Sequence, residues 1–306
     1  MTARPEIAVI GAGTLGWQIA LVLAGHGNTV RLHDRAPAAV AAALEQIGEQ
    51  APGPAAEGWL PPAAAHAHER VLPAGTLTEA VGGAWLAIEA IPERLDLKRA
   101  LYAELSAAAP ADVVLATNSS SFKSRLLADA TAHPERLMNA HFYGMPWRRP
   151  AVELMTCGVT RPEHLERVAE ALRRCRFVPF IVKGESTGFI YNRIWHAIKK
   201  ETLKVVAEGL ASPEEVDRLW CLVMGTPLGP CAMMDRVGLD VVQDIERHYA
   251  AESGRPDDAP PAFLAEMVDR GLLGQKAGRG FYRYPEPAYQ RPGWPREAGE
   301  DTPAGA

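Results

Sequence analysis

The stretch Ile7-Ala8-Val9-Ile10-Gly11-Ala12-Gly13-Thr14-Leu15-Gly16 lies near the start of a 306-residue chain and decides its fold class. Four apolar residues lead into a glycine-rich turn, and the turn opens the helical pattern of residues 15–26. A lone GxGxxG pattern is a weak signal, but a preceding strand and a following helix are the context in which it holds a dinucleotide. There Gly11 permits the tight turn, Gly13 lets the backbone approach a pyrophosphate, and Gly16 lets the helix pack closely on the strand.

An acidic residue, Asp34, ends the second predicted strand, 23 residues after Gly11. A carboxylate at this place accepts hydrogen bonds from a ribose 2′-hydroxyl and repels a 2′-phosphate, so the sequence favours NAD over NADP. The neighbouring Arg35 slightly weakens that preference. FAD is a weaker alternative because nothing in the sequence suggests an isoalloxazine pocket. The other alternative is a glycine-rich turn that binds no ligand.

Short apolar runs alternate with Ala-rich helical segments through the first half of the chain, which predicts a mostly parallel sheet with helices on both faces. The predicted strands are residues 7–10, 30–33, 71–73, 85–90, 113–117, 137–141, 152–155 and 178–182. Residues 51–67 show little periodicity and are predicted to form a loop or an irregular helical excursion. We therefore expect an α/β fold, with a Rossmann-type dinucleotide-binding domain at residues 1–185 and an all-helical C-terminal domain at residues 186–306.

Composition narrows the classes of function. The net charge of −5 makes a nucleic-acid partner unlikely on bulk electrostatics. No apolar run approaches the roughly 20 residues that span a bilayer, and we expect no signal peptide because the first residues lead directly into a predicted strand. The four cysteines lack the spacing of a metal site and are interpreted as reduced thiols, so we expect no metal and a cytoplasmic location.

A candidate base ends the sixth predicted strand. His141 lies where ligands of open α/β sheets bind, and a neutral imidazole is suited to take a hydroxyl proton near pH 7. Glu153, twelve residues further on, could accept a hydrogen bond from the other ring nitrogen and stabilise the imidazolium. Of the nine histidines, only His141 combines a strand end with a matching glutamate. The plainer alternatives are a hydrogen-bonded core histidine and a solvated strand glutamate.

The segment Asn118-Ser119-Ser120-Ser121-Phe122 resembles the Asn-Thr-Ser-Ser-Leu motif of the 3-hydroxyacyl-CoA dehydrogenases. Further segments are similar to that family in the same order along the chain, namely residues 141–143, 152–154, 188–193, 228–230, 235–240 and 278–282. The resemblance covers residues 7 to about 284. It implies a dinucleotide-binding domain followed by a helical domain that usually mediates dimerisation, and it matches His141 and Glu153 with the family's catalytic His–Glu pair.

The resemblance also implies roles for other side chains. Ser120 matches a serine that hydrogen-bonds the reacting oxygen of the substrate, and Asn192 matches an asparagine that contacts the substrate carbonyl and the histidine. Glu93 and Lys98 align with residues near the nicotinamide ribose and the cofactor. The expected cofactor-binding residues are Gly11, Gly13, Thr14, Leu15, Gly16, Asp34, Arg35, Glu93, Lys98 and Asn118.

Two segments depart from the family. Residues 142–150 read Phe-Tyr-Gly-Met-Pro-Trp-Arg-Arg-Pro where the family usually has Phe-Phe-Asn-Pro. The guanidinium groups of Arg148 and Arg149 are suited to bidentate capture of a carboxylate or phosphate, although a solvated basic loop is the alternative. Residues 51–67 contain no Lys or Arg, whereas family members that act on CoA esters tend to carry Ser and Lys there. This departure argues against an ordinary fatty-acid oxidation substrate, and the alternatives are a free 3-hydroxy acid, a carrier-protein thioester and a different acyl-CoA.

These features predict an NAD-dependent, homodimeric dehydrogenase that transfers hydride from C3 of a 3-hydroxy acid or its thioester. His141 takes the hydroxyl proton, Glu153 steadies His141, and Ser120 and Asn192 hold the substrate oxygens. Two alternatives remain open. One is a crystallin-like protein that binds NAD(H) with little turnover, and the other is an imine or amino-acid reductase on the same scaffold.

Overall fold

The structure is a computed structural model and describes residues 6–297. The chain divides into two compact units, the first ending at Ile190 and the second beginning at Tyr191. The predicted domain boundary, between residues 185 and 186, lies a few residues earlier in the chain. The roles in dimerisation and substrate binding that were expected of the C-terminal domain stay predictions.

The first unit is built on an eight-stranded sheet with strand order β3-β2-β1-β4-β5-β6-β7-β8. Its strands are β1 (Glu6–Ile10), β2 (Thr29–His33), β3 (Val71–Pro73), β4 (Ala84–Glu89), β5 (Val114–Thr117), β6 (Leu137–Phe142), β7 (Ala151–Thr156) and β8 (Val178–Val182). Neighbouring strands are parallel except at the antiparallel pair of β6 and β7. The predicted fold class and all eight predicted strands are thereby confirmed.

Helices cover both faces of this sheet, which explains why its strands are almost continuously apolar. Along β1, Ile7 and Val9 belong to the core cluster that includes the following helix, whereas Ala8 and Ile10 belong to the cluster on the opposite face. The helices of the first unit are α1 (Thr14–Gly25), α2 (Pro37–Gln50), α3 (Pro52–Ala56), α4 (Leu77–Val81), α5 (Leu95–Ala108) and α6 (Pro162–Arg174). Three-residue-turn (3-10) helices add Pro62–Arg70, Ser124–Ala130 and Pro134–Arg136.

Residues 51–67, which showed little periodicity, form the short helix α3 and the first part of the 3-10 helix Pro62–Arg70. Four small or apolar side chains of this segment, Ala51, Leu60, Ala64 and Ala67, are buried. Ala64 packs on Gly25, where an added Cβ would lie 2.7 Å from the Ala64 Cβ. The segment therefore belongs to the core, held by contacts that its own sequence pattern does not reveal.

The second unit is helical, as predicted. Its helices are α7 (Tyr191–Ala207), α8 (Pro213–Met224), α9 (Pro230–Val237), α10 (Leu239–Ser253) and α11 (Ala262–Asp269), with 3-10 helices at Pro256–Asp258, Gln275–Ala277 and Ala288–Gln290. Helix α8 begins with a capping box formed by Ser212 and Glu215. Gly238, with φ +104°, separates α9 from α10.

Among residues 6–297, no helix combines the length and the apolar character that crossing a membrane requires. All four cysteines are free and buried.

Candidate active site

The glycine-rich turn between β1 and α1 has the geometry that a phosphate-binding loop needs. Gly11 has φ +108°, and a Cβ added to it would lie 2.6 Å from the Ala90 carbonyl oxygen. A Cβ on Gly16 would lie 1.9 Å from the Gly11 carbonyl oxygen, so α1 can approach the turn only without a side chain there. A Cβ on Gly13 would meet nothing within 4 Å. The backbone N–H groups of Thr14 and Leu15 lie in the first turn of α1, and that turn holds no acidic residue. N–H groups at the start of a helix favour a negatively charged ligand such as a phosphate.

Asp34 ties this turn to the end of β2. Its two carboxylate oxygens accept hydrogen bonds from the backbone N–H groups of Ala12 and Ala36, each at 2.9 Å. Arg35 points its guanidinium to Glu104 on α5, with a distance of 2.7 Å between Nη2 and Oε1. Because Glu104 already pairs with Arg35, that cation is less able to bind a 2′-phosphate.

A cavity of about 160 Å³ lies beside Asp34. Its walls are mostly apolar and come from the ends of β1, β2 and β4 and from α4 and α5; they include Ile10, Leu77, Ile91, Pro92, Leu97 and Leu101. An apolar slot with a carboxylate at its edge suits an adenosine, whose ring is apolar on its faces and whose ribose carries two hydroxyls.

His141 and Glu153 are directly paired residues of the antiparallel strands β6 and β7. Their side chains meet across the ladder, with 3.0 Å between His141 Nδ1 and Glu153 Oε2. Both are buried, with side-chain exposures of 7% and 4%. An ionised carboxylate can only accept a hydrogen bond, so Nδ1 carries the proton and Nε2 is left as the acceptor. The imidazole therefore has the tautomer that a general base requires.

A second cavity, of about 200 Å³, brings six of the predicted site residues together. They are Leu15, Glu93, Lys98, Asn118, Ser120 and His141, and Ala90, Ile91 and Phe142 complete the wall. Leu15 belongs to the first turn of α1, so the cavity adjoins the glycine-rich turn. A dinucleotide held by that turn would have its second half within reach of His141.

The loop after β5 is fixed by side-chain hydrogen bonds. Asn118 accepts a hydrogen bond from the Phe142 N–H at 2.8 Å and so joins this loop to the end of β6, next to His141. The buried Ser119 donates to Glu93 at 2.5 Å, and the Ser121 N–H donates to the same Glu93 oxygen at 2.9 Å. Ser120 lies between these anchored residues and is half-buried on the cavity wall.

A buried cation lies under the same cavity. Lys98 Nζ is 2.7 Å from Glu89 Oε1 and 3.2 Å from Glu93 Oε2. Thr117 donates a hydrogen bond to the other Glu89 oxygen at 2.6 Å. Glu93 is thereby held between Lys98 on one side and the serine loop on the other.

Of the two arginines in the loop after β6, Arg148 already has an anionic partner. Arg148 Nη2 lies 2.8 Å from Glu57 Oε2, and its guanidinium carbon is 5.9 Å from the ring centroid of Trp59. Arg148 and Arg149 are both exposed. The same loop is anchored to α1, because the Met145 N–H donates to Gln18 at 2.7 Å.

Asn192 is the second residue of α7 and belongs to the second unit. Its expected contact with the substrate carbonyl stays a prediction.

Comparison with known proteins assigns the chain. Residues 6–185 match the NAD-binding domain of 3-hydroxyacyl-CoA dehydrogenase, and residues 188–284 match the C-terminal domain of the same enzymes. The chain belongs to the 3-hydroxyacyl-CoA dehydrogenase family.

Relatives of this dehydrogenase family member include several named enzymes. It is 31% identical over 280 residues to a 3-hydroxybutyryl-CoA dehydrogenase of Clostridioides difficile, which covers 91% of this chain and 99% of the relative. It is 29% identical over 284 residues to 5-formyl-3-hydroxy-2-methylpyridine 4-carboxylate 5-dehydrogenase of Mesorhizobium japonicum, covering 91% and 90%. A solved diketoreductase structure has a TM-score of 0.81 and 33% identity over 93% of this chain and all of the other.

The family membership establishes an NAD-dependent oxidoreductase, and its cofactor is NAD. The structure has the features that binding of NAD requires. An open Gly13, an apolar slot beside Asp34, and a second cavity next to His141 follow one another along the carboxyl ends of the strands.

The site of this dehydrogenase contains residues that sequence reasoning missed. Tyr143 donates a hydrogen bond to Glu153 at 2.7 Å, and Phe189 stacks on His141 with 5.1 Å between ring centroids. The Ile190 N–H donates to Glu153 Oε1 at 2.8 Å, and Glu89 holds Lys98. Two signals were available: Tyr143 follows His141 by two residues, the period of a strand, and Glu89 ends an otherwise apolar strand.

Proposed function

We propose that this member of the 3-hydroxyacyl-CoA dehydrogenase family interconverts the C3 hydroxyl and keto groups of a 3-hydroxy acid or its thioester, with His141 as general base and acid. The observation that carries the proposal is the buried hydrogen bond between His141 and Glu153 on the wall of a cavity that adjoins the glycine-rich turn. Ser120 and Asn118 line the same cavity.

When bound, NAD supplies the carbon that accepts or donates the hydride. His141 Nε2 takes the proton of the substrate hydroxyl during oxidation, and the same nitrogen returns it during reduction. Glu153 accepts from Nδ1–H throughout and stabilises the imidazolium that forms. Ser120 donates a hydrogen bond to the reacting oxygen, and Asn192 donates to the substrate carbonyl. A positioned proton transfer of this kind contributes roughly 10²–10⁴-fold in rate.

Residues outside this cavity determine the specificity for the group attached to C1 of the substrate. Glu57 is exposed and lies in a segment without Lys or Arg, so its negative charge would repel a polyanionic group attached to the substrate. Glu57 also pairs with Arg148. Among the relatives, one is named for a CoA thioester and another for a free pyridine carboxylate. The assay therefore offers both kinds of substrate.

The test is an NAD(H)-linked screen of 3-hydroxybutyryl-CoA, its carrier-protein analogue and free 3-hydroxy acids, run on the wild type and on His141→Ala. We expect the variant to bind NADH as the wild type does and to lose turnover by about 10²–10⁴-fold. His133→Ala, which removes an exposed imidazole of the same unit, is the matched control and should leave turnover unchanged.

Three results would contradict the proposal. Activity that survives in His141→Ala refutes the base assignment. NADH binding without turnover on any substrate favours a crystallin-like protein, and activity on imines but not on ketones favours an imine reductase.

We further propose a homodimer formed through the second unit. Along α8, Leu219, Leu222 and Val223 form one stripe at helical spacing, and Leu219 and Val223 are 65% and 72% exposed. Light scattering should report two copies for the wild type and one for the double variant Leu219→Ser/Val223→Ser. Val159→Ser, at an exposed apolar residue of the first unit, should remain dimeric. The cytoplasmic location stays a prediction.

A further inference from the structure

Tyr143 shares a carboxylate oxygen with the proposed base. Its phenolic oxygen lies 2.7 Å from Glu153 Oε2, and His141 Nδ1 lies 3.0 Å from the same atom. An ionised carboxylate donates nothing, so the phenol and the imidazole are both donors to one oxygen. Hydrogen bonds to a charged acceptor are the strong ones, and two donors on one atom divide its negative charge.

The other oxygen of Glu153 is also engaged. The backbone N–H of Ile190 donates to Oε1 at 2.8 Å, and Glu153 as a residue is only 3% exposed. A buried carboxylate remains ionised only where donors replace the water that it has lost. The hydrogen bond from Tyr143 can be removed by deleting a single side-chain atom.

We propose that Tyr143 is a positioning residue that limits how strongly Glu153 holds the proton of His141. The proposal rests on the function proposed above. Without the phenolic hydroxyl, Glu153 would concentrate its charge on the imidazole and favour the imidazolium. An imidazolium cannot accept a substrate proton, so oxidation would require a higher pH.

Two further charged side chains line the cavity of His141. Glu93 and Lys98 line the cavity of His141 and are paired with each other at 3.2 Å, while Lys98 also holds the buried Glu89. On the neighbouring strand β8 the residue paired with Glu153 is the apolar Phe180. A change in pH dependence after removal of the hydroxyl therefore reports on Glu153 and His141.

The variant Tyr143→Phe isolates the hydroxyl because the ring stays. Tyr143 and His141 have their ring centroids 4.6 Å apart, and Phe189 covers the imidazole at 5.1 Å. Tyr289→Phe is the matched control, since it removes a phenol that contacts Tyr284 and belongs to the second unit. A melting temperature close to that of the wild type verifies that each variant is folded.

Two measurements test the proposal. In the first, kcat/KM for oxidation of the best substrate is recorded from about pH 5 to about pH 9, and the midpoint of the acid limb should rise by about half to one pH unit in Tyr143→Phe. In the second, the ring C–H signals of His141, assigned by their loss in His141→Ala, are followed by NMR in the protein without substrate. Their titration midpoint should move upward by the same amount, and Tyr289→Phe should move neither midpoint.

An unchanged or lowered midpoint in Tyr143→Phe overturns the proposal, as does a loss of rate that is equal at every pH. The NMR titration separates this outcome from failure of the proposed function. If no substrate is turned over and the NMR midpoint rises, the link between Tyr143 and His141 stands and the catalytic assignment fails. If the midpoint stays in place while the enzyme is active, only the role of Tyr143 fails.

Discussion

The ammonium group of Lys98 lies 2.7 Å from the carboxylate of Glu89, and both side chains are almost fully buried, at 1% and 0% exposure. Glu89 ends β4 and also accepts hydrogen bonds from Thr117 and from the Ile91 N–H. The pair fixes the floor of the cavity that contains His141, since Lys98 also reaches Glu93. Removing one member would leave a buried charge without a counterion.

Lys98→Met should therefore lower the free energy of unfolding by about 3–5 kcal/mol, because Glu89 keeps its charge and loses its partner. Urea denaturation measures this loss, and titration with NADH should show weaker binding. The double variant Lys98→Met/Glu89→Gln removes both charges and should recover most of the stability. A single variant as stable as the wild type would contradict this account of the pair.

Asp34→Ser should change the choice of cofactor. The shortened side chain loses the carboxylate that accepts from a ribose hydroxyl and repels a 2′-phosphate, so kcat/KM with NAD should fall by about tenfold or more, equivalent to about 1.4 kcal/mol. The ratio of NADP to NAD activity should rise. Asp34→Asn keeps a hydrogen-bond acceptor for the Ala12 N–H and separates the effect of charge from that of the turn. Equal NAD preference in all three proteins would refute the role of Asp34.

Arg148→Ala tests whether the loop after β6 recognises a carboxylate. KM for a free 3-hydroxy acid should rise several-fold, whereas KM for the corresponding neutral ester should stay constant. Because the ion pair with Glu57 is half exposed, the change in unfolding free energy should be below about 1 kcal/mol. Glu57→Gln, which leaves the guanidinium in place and frees it, should lower KM for the acid. Retained affinity for the acid in Arg148→Ala would exclude this contact.

The stability of the second unit should depend on two buried aspartates. Burial raises the pKa of Asp217 to about 6 and that of Asp235 to about 6, from 3.8. The folded state therefore binds these protons more tightly than the unfolded state, so their contribution is complete below about pH 4 and is lost as the pH rises through about 6. A difference of about two pH units corresponds to about 3 kcal/mol for one isolated group.

Asp217→Asn should remove that share of the pH dependence. Relative to the variant, the wild type should lose up to about 3 kcal/mol of unfolding free energy between pH 4 and pH 7. Urea denaturation at several pH values gives the slope, and any constant offset reflects the altered hydrogen bonds to Cys231 and Ala232. Parallel curves for the two proteins would contradict the assignment.

The local pattern of apolar residues and glycines was sufficient to predict most of the fold. Apolar runs such as Ile7–Ile10 must be buried on both faces, and the glycines that follow them place the strand end and the helix start. Residues 51–67 were not predictable in this way, because Ala64 is held by its contact with Gly25 of α1 rather than by a repeating pattern of its own segment.

The site was predictable where its residues follow strand ends and the family motif. The separation of His141 and Glu153 along the chain does not reveal that they are paired across an antiparallel ladder, because that register depends on the loop at residues 143–150. The hydrogen bond from Ile190 depends on Phe189, a non-glycine residue at φ +56°, and no sequence pattern encodes that conformation. Tyr143 was missed although the two-residue period of a strand points to it.

The antiparallel pair of β6 and β7 also defines where this enzyme can be divided. A cut in the exposed loop between them, at Gly144, would leave His141 on one fragment and Glu153 on the other. Neither fragment would then hold the dyad, and recovery of NADH oxidation on mixing would report fragment complementation through the β6–β7 ladder. The strand reversal thus makes the molecule a natural starting point for a split-enzyme reporter.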